Sequence, residues 1–262
     1  PRGTLLGPAE IGVLASVEKI FVNVAQRPLV AVIATGDEIV EPGGETGVHS
    51  VVSSNSFTIT ALVKESGAVP VYLGIARDRP EAIEEALSRA SRCDLILTSG
   101  GVSMGDYDLV RPVLARQGNS LIFWGVEMKP GKPLAFGTIA GIPAVGLPGN
   151  PVSTMTAFYQ FVRPALLKMQ GARRVLPEKV RARLLAPVKN RGDRPHYMRA
   201  RLERSGDDLV VTPTGPQGSG ILSSMVRGNC FCIVPKGVTS LDAGEWVECE
   251  VYAGAITAVS AP

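Results

Sequence analysis

Carboxylate side chains follow three predicted strands of this chain, each within a few residues of a small-residue turn. They are Asp37 with Glu38, Asp78, and Asp106 with Asp108. Because the carboxyl ends of parallel strands meet at one edge of a sheet, we expect Glu38, Asp78 and Asp108 to open into one cleft. Converging carboxylates hold a hard cation such as Mg²⁺, which keeps waters and bridges phosphates. Taken alone, Asp78 equally fits a helix N-cap, and Asp37 fits a turn residue.

Two further loops carry groups that bind anions. Gly149, Asn150, Val152 and Ser153 lie where a helix is predicted to begin, and we expect their backbone N–H groups to be free, a site that attracts phosphate or another oxyanion. Lys129 and Lys132 add two ammonium groups on a proline-stiffened loop between predicted strands. A single lysine is usually solvated surface, but two on such a loop favour an anion site.

A third loop follows the apolar run 95–97. Its small and hydroxyl-bearing residues include Thr98, Gly100, Gly101 and Ser103. Glycine has no Cβ and lets the backbone approach a ligand closely, while the hydroxyl groups can donate hydrogen bonds. The loop is therefore a candidate binding segment, although a tight turn with an aspartate cap would have the same composition.

The elements that must position these loops alternate along the chain. Apolar runs predict strands at 20–24, 29–34, 69–73, 95–97, 121–123, 134–139 and 144–147. Helical spacing and caps predict helices at 8–16, 54–66, 79–90, 109–117 and 151–169. The pair Ser54 and Asn55 is the expected cap of the second helix, and Asp78 is the expected cap of the third. The alternation favours an α/β domain with a mostly parallel sheet flanked by helices.

The pattern changes past Gly171. Short alternating runs separated by glycine, proline, asparagine and aspartate follow, which predicts a small all-β domain, a barrel or a sandwich. Arg199 and Arg201 lie on one face of a predicted strand, as a period of two requires. His49 and His196 are isolated, and we interpret both as structural.

The composition excludes several classes of protein. The chain has 262 residues with 27 basic and 24 acidic side chains, and this near balance of charge does not favour nucleic acid as a partner. No apolar run is long enough to span a bilayer, and no signal-peptide pattern is present. The cysteines, Cys93, Cys230, Cys232 and Cys249, fit neither a zinc site nor a disulfide framework. Four buried thiols indicate a cytoplasmic protein. The chain begins with Pro1, which is typical of a fragment of a longer protein.

The loops together match the motifs of one family in their order. They are TGDE at 35–38, GIARD at 74–78, TSGGVSMGDYD at 98–108, KPGKP at 129–133, GLPGNPVS at 146–153, the arginine strand at 199 and QGS at 217–219. With these motifs the chain resembles the molybdopterin molybdotransferase, or molybdenum insertase, family, which includes a bacterial enzyme and the C-terminal domain of gephyrin. The resemblance extends from about residue 3 to residue 252.

The resemblance implies a domain organisation and an activity. Residues 28–172 would form a molybdopterin-binding α/β domain, residues 178–255 a C-terminal β-barrel domain, and residues 1–27 the remnant of a preceding domain. The family's reaction joins molybdate to the dithiolene of adenylylated molybdopterin and releases AMP with Mg²⁺. Family members are homodimers whose cleft draws on both subunits. This chain would therefore be a fragment that lacks most of the N-terminal domains and turns over poorly alone.

The resemblance also implies roles for single residues. Glu38, Asp78 and Asp108 match the acidic active-site residues, which would hold the metal and assist hydrolysis of the pyrophosphate bond. The residues matched to molybdate or phosphate binding are Lys129, Ser153, Arg199 and Ser219. An oxyanion needs such hydroxyl and cationic donors. We expect the heads of Lys129 and Arg199 to be solvent-accessible in the empty site, so that their loss would weaken oxyanion binding without unfolding the protein.

Two positions depart from the family pattern. Many relatives carry an aspartate where Ser53 stands and a lysine where Gly125 stands, so one acid and one base are missing from the expected set. Two alternatives therefore stay open. A molybdopterin adenylyltransferase would share the α/β domain but need no barrel. A non-catalytic molybdopterin-binding scaffold would lose carboxylates, which the presence of Glu38, Asp78 and Asp108 argues against.

Overall fold

The structure of the chain is a computed structural model. It describes residues 1–45, 47–100 and 119–252, together with the backbone of 257–258. Several sequence-based predictions lie outside the described residues. They are Gly101, Ser103, Asp106, Asp108 and the helix 109–117.

The first 27 residues form little regular structure. Helix α1 (Pro8–Ser16) is present as predicted, but none of its residues is buried. The predicted strand 20–24 is wrong, because no strand forms there and Ile20 and Phe21 are 82% and 86% exposed. An apolar run becomes a strand only when a neighbouring strand pairs with it, and this segment has no such partner among the described residues.

A six-stranded sheet forms the core of the first half. The strands of this half are β1 (Leu29–Thr35), β2 (Ile39–Val40), β3 (Val51–Val52), β4 (Val69–Ala76), β5 (Leu95–Ser99), β6 (Ser120–Trp124), β7 (Ala135–Ile139) and β8 (Ile142–Leu147). The sheet has the order β4-β1-β5-β8-β7-β6, and β2 pairs separately with β3. Strands β4, β1, β5 and β8 run parallel, while β7 and β6 form an antiparallel edge. The mostly parallel sheet is thus confirmed.

Helices cover both faces of this sheet. One face packs against α2 (Ser54–Glu65) and the long helix after β8, and the other face packs against α3 (Pro80–Arg89). The long helix consists of α4 (Pro151–Ala157), a π-helical turn (Phe158–Val162) and α5 (Arg163–Met169). Strands β1 and β5 are almost wholly buried, which is typical of parallel strands covered on both sides. Among the described residues, no helix has both the length and the apolar character needed to cross a membrane.

Two helix caps differ from the predictions. Ser53 is the N-cap of α2, and Ser54 and Asn55 lie inside the helix. Arg79 is the N-cap of α3, so Asp78 does not cap that helix. The side chains of Asn55 and Asp78 instead form hydrogen bonds with other loops at the sheet edge, because the ends of neighbouring parallel strands lie close together.

A closed five-stranded barrel forms the second half. The elements of this half are β9 (Lys179–Leu184), β10 (Val188–Lys189), β11 (His196–Ser205), β12 (Asp208–Pro213), α6 (Ser223–Arg227), β13 (Cys230–Val234), β14 (Ser240–Leu241), β15 (Trp246–Val251) and β16 (Thr257–Ala258). Pairing runs β12-β9-β15-β13-β11, and β11 also pairs with β12, which closes the barrel. Strand β16 adds to β11, and β10 pairs with β14. The four cysteines are unpaired and buried, as predicted.

The two halves share one apolar core. Met225 and Phe231 of the second half belong to the same buried cluster as residues of β1, β5 and α2. The ring of Tyr159, in the π-helical turn, lies 6.1 Å from Phe231 and 5.4 Å from Tyr252, measured between ring centroids. This junction fixes the barrel against the carboxyl edge of the sheet.

Candidate functional site

A cleft of about 1020 Å³ lies between the carboxyl edge of the parallel strands and the barrel. Its walls come from the loops after β1, β4, β5, β6 and β8, from β3 and the start of α2, and from two loops of the barrel half. The predicted site residues that line it are Glu38, Asp78, Gly100, Lys129, Lys132, Gly149, Asn150, Ser153 and Ser219. These residues belong to separate sequence motifs, and the fold brings them to one cavity. Gly101, Ser103 and Asp108 are outside the described residues.

The acidic side of the cleft consists of Glu38 and Asp78. They follow β1 and β4, which are neighbours in the sheet. Glu38 is exposed and Asp78 is half-buried. Burial raises the pKa of the Asp78 carboxyl above its ordinary value, and the charges of Asp37 and Glu38 raise it further, against a backbone hydrogen bond from Asp37 that lowers it. Carboxylates that repel each other in this way are stabilised by a cation.

These two carboxylates fit Mg²⁺. Within the described residues, no three His, Cys, Asp or Glu side chains are arranged to hold a metal ion together. Mg²⁺, however, is usually bound by one or two carboxylates plus waters and the phosphates of a substrate. Glu38 and Asp78 supply that smaller set, and Asp108, the third expected carboxylate, lies outside the described residues.

The cationic side of the cleft consists of Lys129, Lys132 and Arg194. The lysines lie between β6 and β7, at the opposite end of the strand order from β4 and β1. Two backbone bonds join their loop to the barrel half: Lys129 N–H donates to the carbonyl of Pro195 at 3.0 Å, and Tyr197 N–H donates to the carbonyl of Lys129 at 2.8 Å. Arg194 is marked by no sequence motif, since only the docking of the barrel brings it to the cleft.

The glycine loop after β5 lines the cleft through Gly100. Its φ is +95°, and a Cβ on Gly100 would lie 2.7 Å from the carbonyl oxygen of Thr35. Both the left-handed backbone and this contact exclude a side chain. Glycine at this position therefore allows the ends of β1 and β5 to approach each other closely. Thr98, a predicted binding residue, is 3% exposed inside β5. It lies behind the cleft wall, while its neighbour Ser99 lines it.

The start of α4 lines the cleft through Gly149, Asn150 and Ser153. Ser153 is only 5% exposed. The N–H of Val152, one of the donors expected to be free, donates to the carbonyl of Ser219 at 3.0 Å. The expectation of a free donor is therefore wrong for Val152, because a carbonyl of a barrel loop accepts the hydrogen bond from its N–H.

Asn55 joins two of the loops that form the cleft. Its Nδ2 donates to Ser99 Oγ and to the carbonyl of Gly149, both at 2.8 Å. The side chain therefore sets the distance between the end of β5 and the start of α4. The sequence pattern indicates only a helix cap at Asn55, because these contacts depend on the strand order.

The expectation that the guanidinium of Arg199 is solvent-accessible is wrong, because Arg199 is 0% exposed. Its Nε donates to Ser224 Oγ and its Nη2 to the carbonyl of Gly218, each at 3.0 Å. Its backbone N–H donates to the side chain of Gln217 at 2.9 Å. Burial lowers the pKa of Arg199 to about 10, so the guanidinium stays charged at neutral pH. Arg199 thus lies behind the loop 217–220, which lines the cleft, and holds that loop in place.

The structure shows the contacts of the two residues that depart from the family pattern, Ser53 and Gly125. Ser53 is buried on the cleft wall, and its Oγ shares a 2.6 Å hydrogen bond with Ser56 Oγ. Gly125 has a φ of +85° in the loop after β6, and its N–H donates to the carbonyl of Leu134 at 2.7 Å. The wall at Ser53 therefore carries a neutral hydroxyl group.

Comparison with known proteins covers both halves of the chain. The family described as "Probable molybdopterin binding domain" matches residues 31–168, and the family described as "MoeA C-terminal region (domain IV)" matches residues 181–252. A molybdopterin molybdenumtransferase from Nostoc sp. is 37% identical over 251 residues, which are 94% of this chain and 58% of the relative. One from Haemophilus influenzae is 34% identical over 255 residues, 96% of this chain and 63% of the relative. The chain thus spans roughly three fifths of the length of these relatives.

Solved structures show the same arrangement. The molybdopterin biosynthesis MoeA protein from Pyrococcus horikosii has a TM-score of 0.80 and 32% identity, covering 97% of this chain and 62% of that chain. A molybdenum cofactor biosynthesis protein from Pyrococcus furiosus has a TM-score of 0.71 and 29% identity, covering 95% and 77%. The likeness extends over the sheet and the barrel together, which confirms the predicted fold class.

Proposed function

Because the chain belongs to the molybdopterin molybdenumtransferase family, we propose that it inserts molybdate into adenylylated molybdopterin and releases AMP, a step of molybdenum cofactor biosynthesis. An adenylyltransferase is not favoured, because such an enzyme needs no barrel and the barrel half of this chain matches a family model of its own. A binding scaffold without activity has no need of the carboxylates that line the cleft.

One observation carries the proposal: the cleft has carboxylates on one side and cations on the other. Glu38 and Asp78 follow β1 and β4, at one end of the strand order, while Lys129, Lys132 and Arg194 lie towards the antiparallel edge and the barrel. Such a cleft suits a substrate that brings a phosphate with a metal ion to one side and a free oxyanion to the other. Adenylylated molybdopterin and molybdate have these two features.

The residues on the cationic side would hold the oxyanion. Lys129 and Lys132 supply positive charge, and the hydroxyl groups of Ser153 and Ser219 can donate hydrogen bonds to its oxygens. Gly149 and Asn150 would contact the substrate beside the start of α4. Arg199 would act through the loop 217–220, which carries Ser219, and is in our proposal a positioning residue.

Glu38 and Asp78 would hold Mg²⁺, with Asp108 as the expected third carboxylate. The ion would neutralise charge on the phosphate oxygens while the pyrophosphate bond is hydrolysed. Through this ion, the carboxylates of Glu38 and Asp78 would orient the phosphate side of the substrate.

We further propose a homodimer in the cytoplasm. The family resemblance supports the dimer, and four unpaired buried thiols support a reducing compartment. Because the cleft of the family draws on both subunits, this chain by itself should turn over slowly.

The test is AMP release from adenylylated molybdopterin by the purified chain, with and without molybdate and Mg²⁺. We expect slow release that requires both additions and is lost in the Glu38→Gln/Asp78→Asn double variant. Release that is equal in the double variant would contradict the proposal. Formation of adenylylated molybdopterin from ATP and molybdopterin would instead establish the adenylyltransferase alternative.

A further inference from the structure

We propose that Cys232 and Cys249, in the interior of the barrel, are a redox-sensitive pair that a small disulfide such as oxidised glutathione converts into a cross-strand disulfide. The new bond would fix β13 to β15 and stabilise the barrel. Among the described residues that line the cleft, none is a cysteine. The inference therefore concerns a second region of the molecule and does not rest on the proposed function.

Three of the four thiols of the chain lie together in the core of the barrel. Cys230, Cys232 and Cys249 are fully buried and belong to one apolar cluster. Cys230 and Cys232 are two residues apart on β13, so their side chains point to the same face of the strand. The thiol of Cys249 is hydrogen-bonded to both. The fourth thiol, Cys93, belongs to the core of the sheet half.

The register of the strands selects one pair of these thiols. Cys232 lies directly opposite Cys249 in the antiparallel pair β13–β15, whereas Cys230 lies opposite Val251. The Cα atoms of directly opposite residues are about 4.5–5.5 Å apart, and those of diagonal neighbours about 7–8 Å. A disulfide spans Cα separations of about 4.4–6.8 Å. Cys249 can therefore form a disulfide with Cys232, while the diagonal Cys230 is too far away unless the backbone moves.

Backbone hydrogen bonding places this pair at the shorter of the two separations. At one end of the β13–β15 ladder, the N–H of Tyr252 donates to the carbonyl of Asn229 at 3.0 Å. Pairs with and without mutual backbone hydrogen bonds alternate along antiparallel strands. Cys232 and Cys249 lie three residues further along their strands, so they form a pair without such bonds. Side chains approach each other most closely in pairs of this kind.

The closed barrel keeps the pair reduced. The hydrogen bond with Cys249, followed by burial, raises the pKa of the Cys232 thiol. The hydrogen bond with Cys230 and burial raise the pKa of the Cys249 thiol, against the hydrogen bond with Cys232, which lowers it. Because the thiolate is the form that attacks a disulfide, and a buried thiol cannot meet an oxidant, oxidation requires transient opening of the barrel.

The reaction in the opened barrel is two successive thiol–disulfide exchanges. The thiolate of one cysteine attacks oxidised glutathione, which forms a mixed disulfide and releases one reduced glutathione. The thiolate of the second cysteine attacks the mixed disulfide and releases the other. The pair loses two protons and two electrons, which both glutathione molecules carry away. The resulting bond joins the ends of the segment 233–248 and restricts the unfolded chain, which favours the folded barrel.

The experiment is oxidation of the full chain by oxidised glutathione, in urea just below the unfolding transition, followed by digestion without a reducing agent. Chymotrypsin cleaves after Phe231 and so separates Cys230 from Cys232 before mass spectrometry. We expect a cross-link between the peptides that contain Cys232 and Cys249, with two of the four thiols left free. The oxidised chain should unfold at a higher urea concentration than the reduced chain.

Variants with one thiol removed identify the pair. Cys232→Ala should abolish both the cross-link and the shift of the urea midpoint. Cys230→Ala is the matched control, since it removes an equally buried thiol from the same face of the same strand, and it should retain both effects. Cys93→Ala, in the other half of the chain, should also retain them.

Each outcome decides the inference. A cross-link from Cys249 to Cys230 instead of Cys232 overturns it, as does the absence of any cross-link in the unaltered chain. A cross-linked chain that unfolds at the same urea concentration as the reduced chain, or at a lower one, overturns it as well, because the bond would then not stabilise the barrel. Should Cys232→Ala not fold, Cys249→Val, which fills the space of the thiol, takes its place, and a shift that persists there overturns the inference.

Discussion

Asp37 and Asp78 are joined by reciprocal hydrogen bonds. The backbone N–H of Asp37 donates to Asp78 Oδ2 at 3.3 Å, and the backbone N–H of Asp78 donates to Asp37 Oδ1 at 3.1 Å. Arg77 Nη1 adds a bond to the carbonyl of Asp37 at 2.8 Å. The loops after β1 and β4 therefore keep their relative position without a ligand, and these bonds fix the Asp78 carboxyl beside the loop that carries Glu38.

Asp78→Asn should weaken binding of Mg²⁺ in the presence of AMP about tenfold or more, because one of two described carboxylates is lost. Asparagine can still accept the bond from Asp37, and repulsion from Glu38 is removed, so the Tm without Mg²⁺ should not fall. The measurement is thermal melting against Mg²⁺ at fixed AMP. Asp207→Asn, an exposed aspartate in a barrel turn, is the control. An Mg²⁺ response that survives in Asp78→Asn would exclude Asp78 as a ligand.

Arg199→Ala should destabilise the fold by about 2–4 kcal/mol, because it leaves a cavity and removes the donors to the buried Ser224 Oγ and to the carbonyl of Gly218. Urea denaturation measures this free energy. Arg201→Ala, two residues along the same strand and exposed, should cost less than about 1 kcal/mol. If Arg199→Ala is as stable as the unaltered chain and loses only molybdate binding, Arg199 contacts the ligand directly.

Lys129→Ala should weaken molybdate binding by about 10- to 150-fold, since a charge-assisted hydrogen bond is lost. The fold should persist, because the bonds from Lys129 to the barrel use its backbone. Titration with molybdate gives the affinity, and thermal melting checks the fold. Lys168→Ala removes an exposed lysine at the end of α5 and should leave molybdate affinity unchanged. An affinity that is equal in both variants would remove Lys129 from the oxyanion site.

His196 should make stability depend on pH. Burial, followed by the charges of Lys129 and Arg199, lowers the pKa of His196 to about 4 from 6.5. Between these values the unfolded chain binds a proton that the folded chain does not, so stability is complete above about pH 6.5 and falls by up to about 3 kcal/mol as pH drops towards 4.

Urea denaturation from pH 7.5 to 4 tests this dependence as a difference between variants. His196→Leu should flatten the curve in that window, since leucine does not titrate. His49→Gln, which removes the exposed histidine, should leave the curve unchanged. A slope that is equal in His196→Leu and the unaltered chain would show that other groups cause the pH dependence.

The sheet could be predicted because its central strands are apolar throughout. The runs 29–34 and 95–97 read as buried strands, and β1 and β5 extend them by one and two residues. Once β1 and β4 are parallel in the same sheet, their carboxyl ends share an edge, and Glu38 and Asp78 must lie in one region. The acidic side of the cleft is therefore implied by local pattern and sheet geometry.

The cationic side could not be predicted in the same way. The alternation of β11 places Arg199 on a face of the strand, but it does not reveal that the loop 217–220 covers that face. Arg194 reaches the cleft, and Asn55 joins two loops, only through contacts between segments distant in sequence. These contacts depend on how the barrel docks, which local patterns do not contain.

The apolar core shared by the two halves determines how a ligand enters and leaves. A hinge opening between sheet and barrel would pull Phe231 away from Tyr159. Each buried aromatic ring covers roughly 150–250 Å², so its exposure would cost about 4–6 kcal/mol. We therefore expect the cleft to keep its shape rather than to open and close by a hinge motion. We expect a ligand to exchange without separation of the sheet from the barrel, so that no binding energy is consumed in bringing the two halves together.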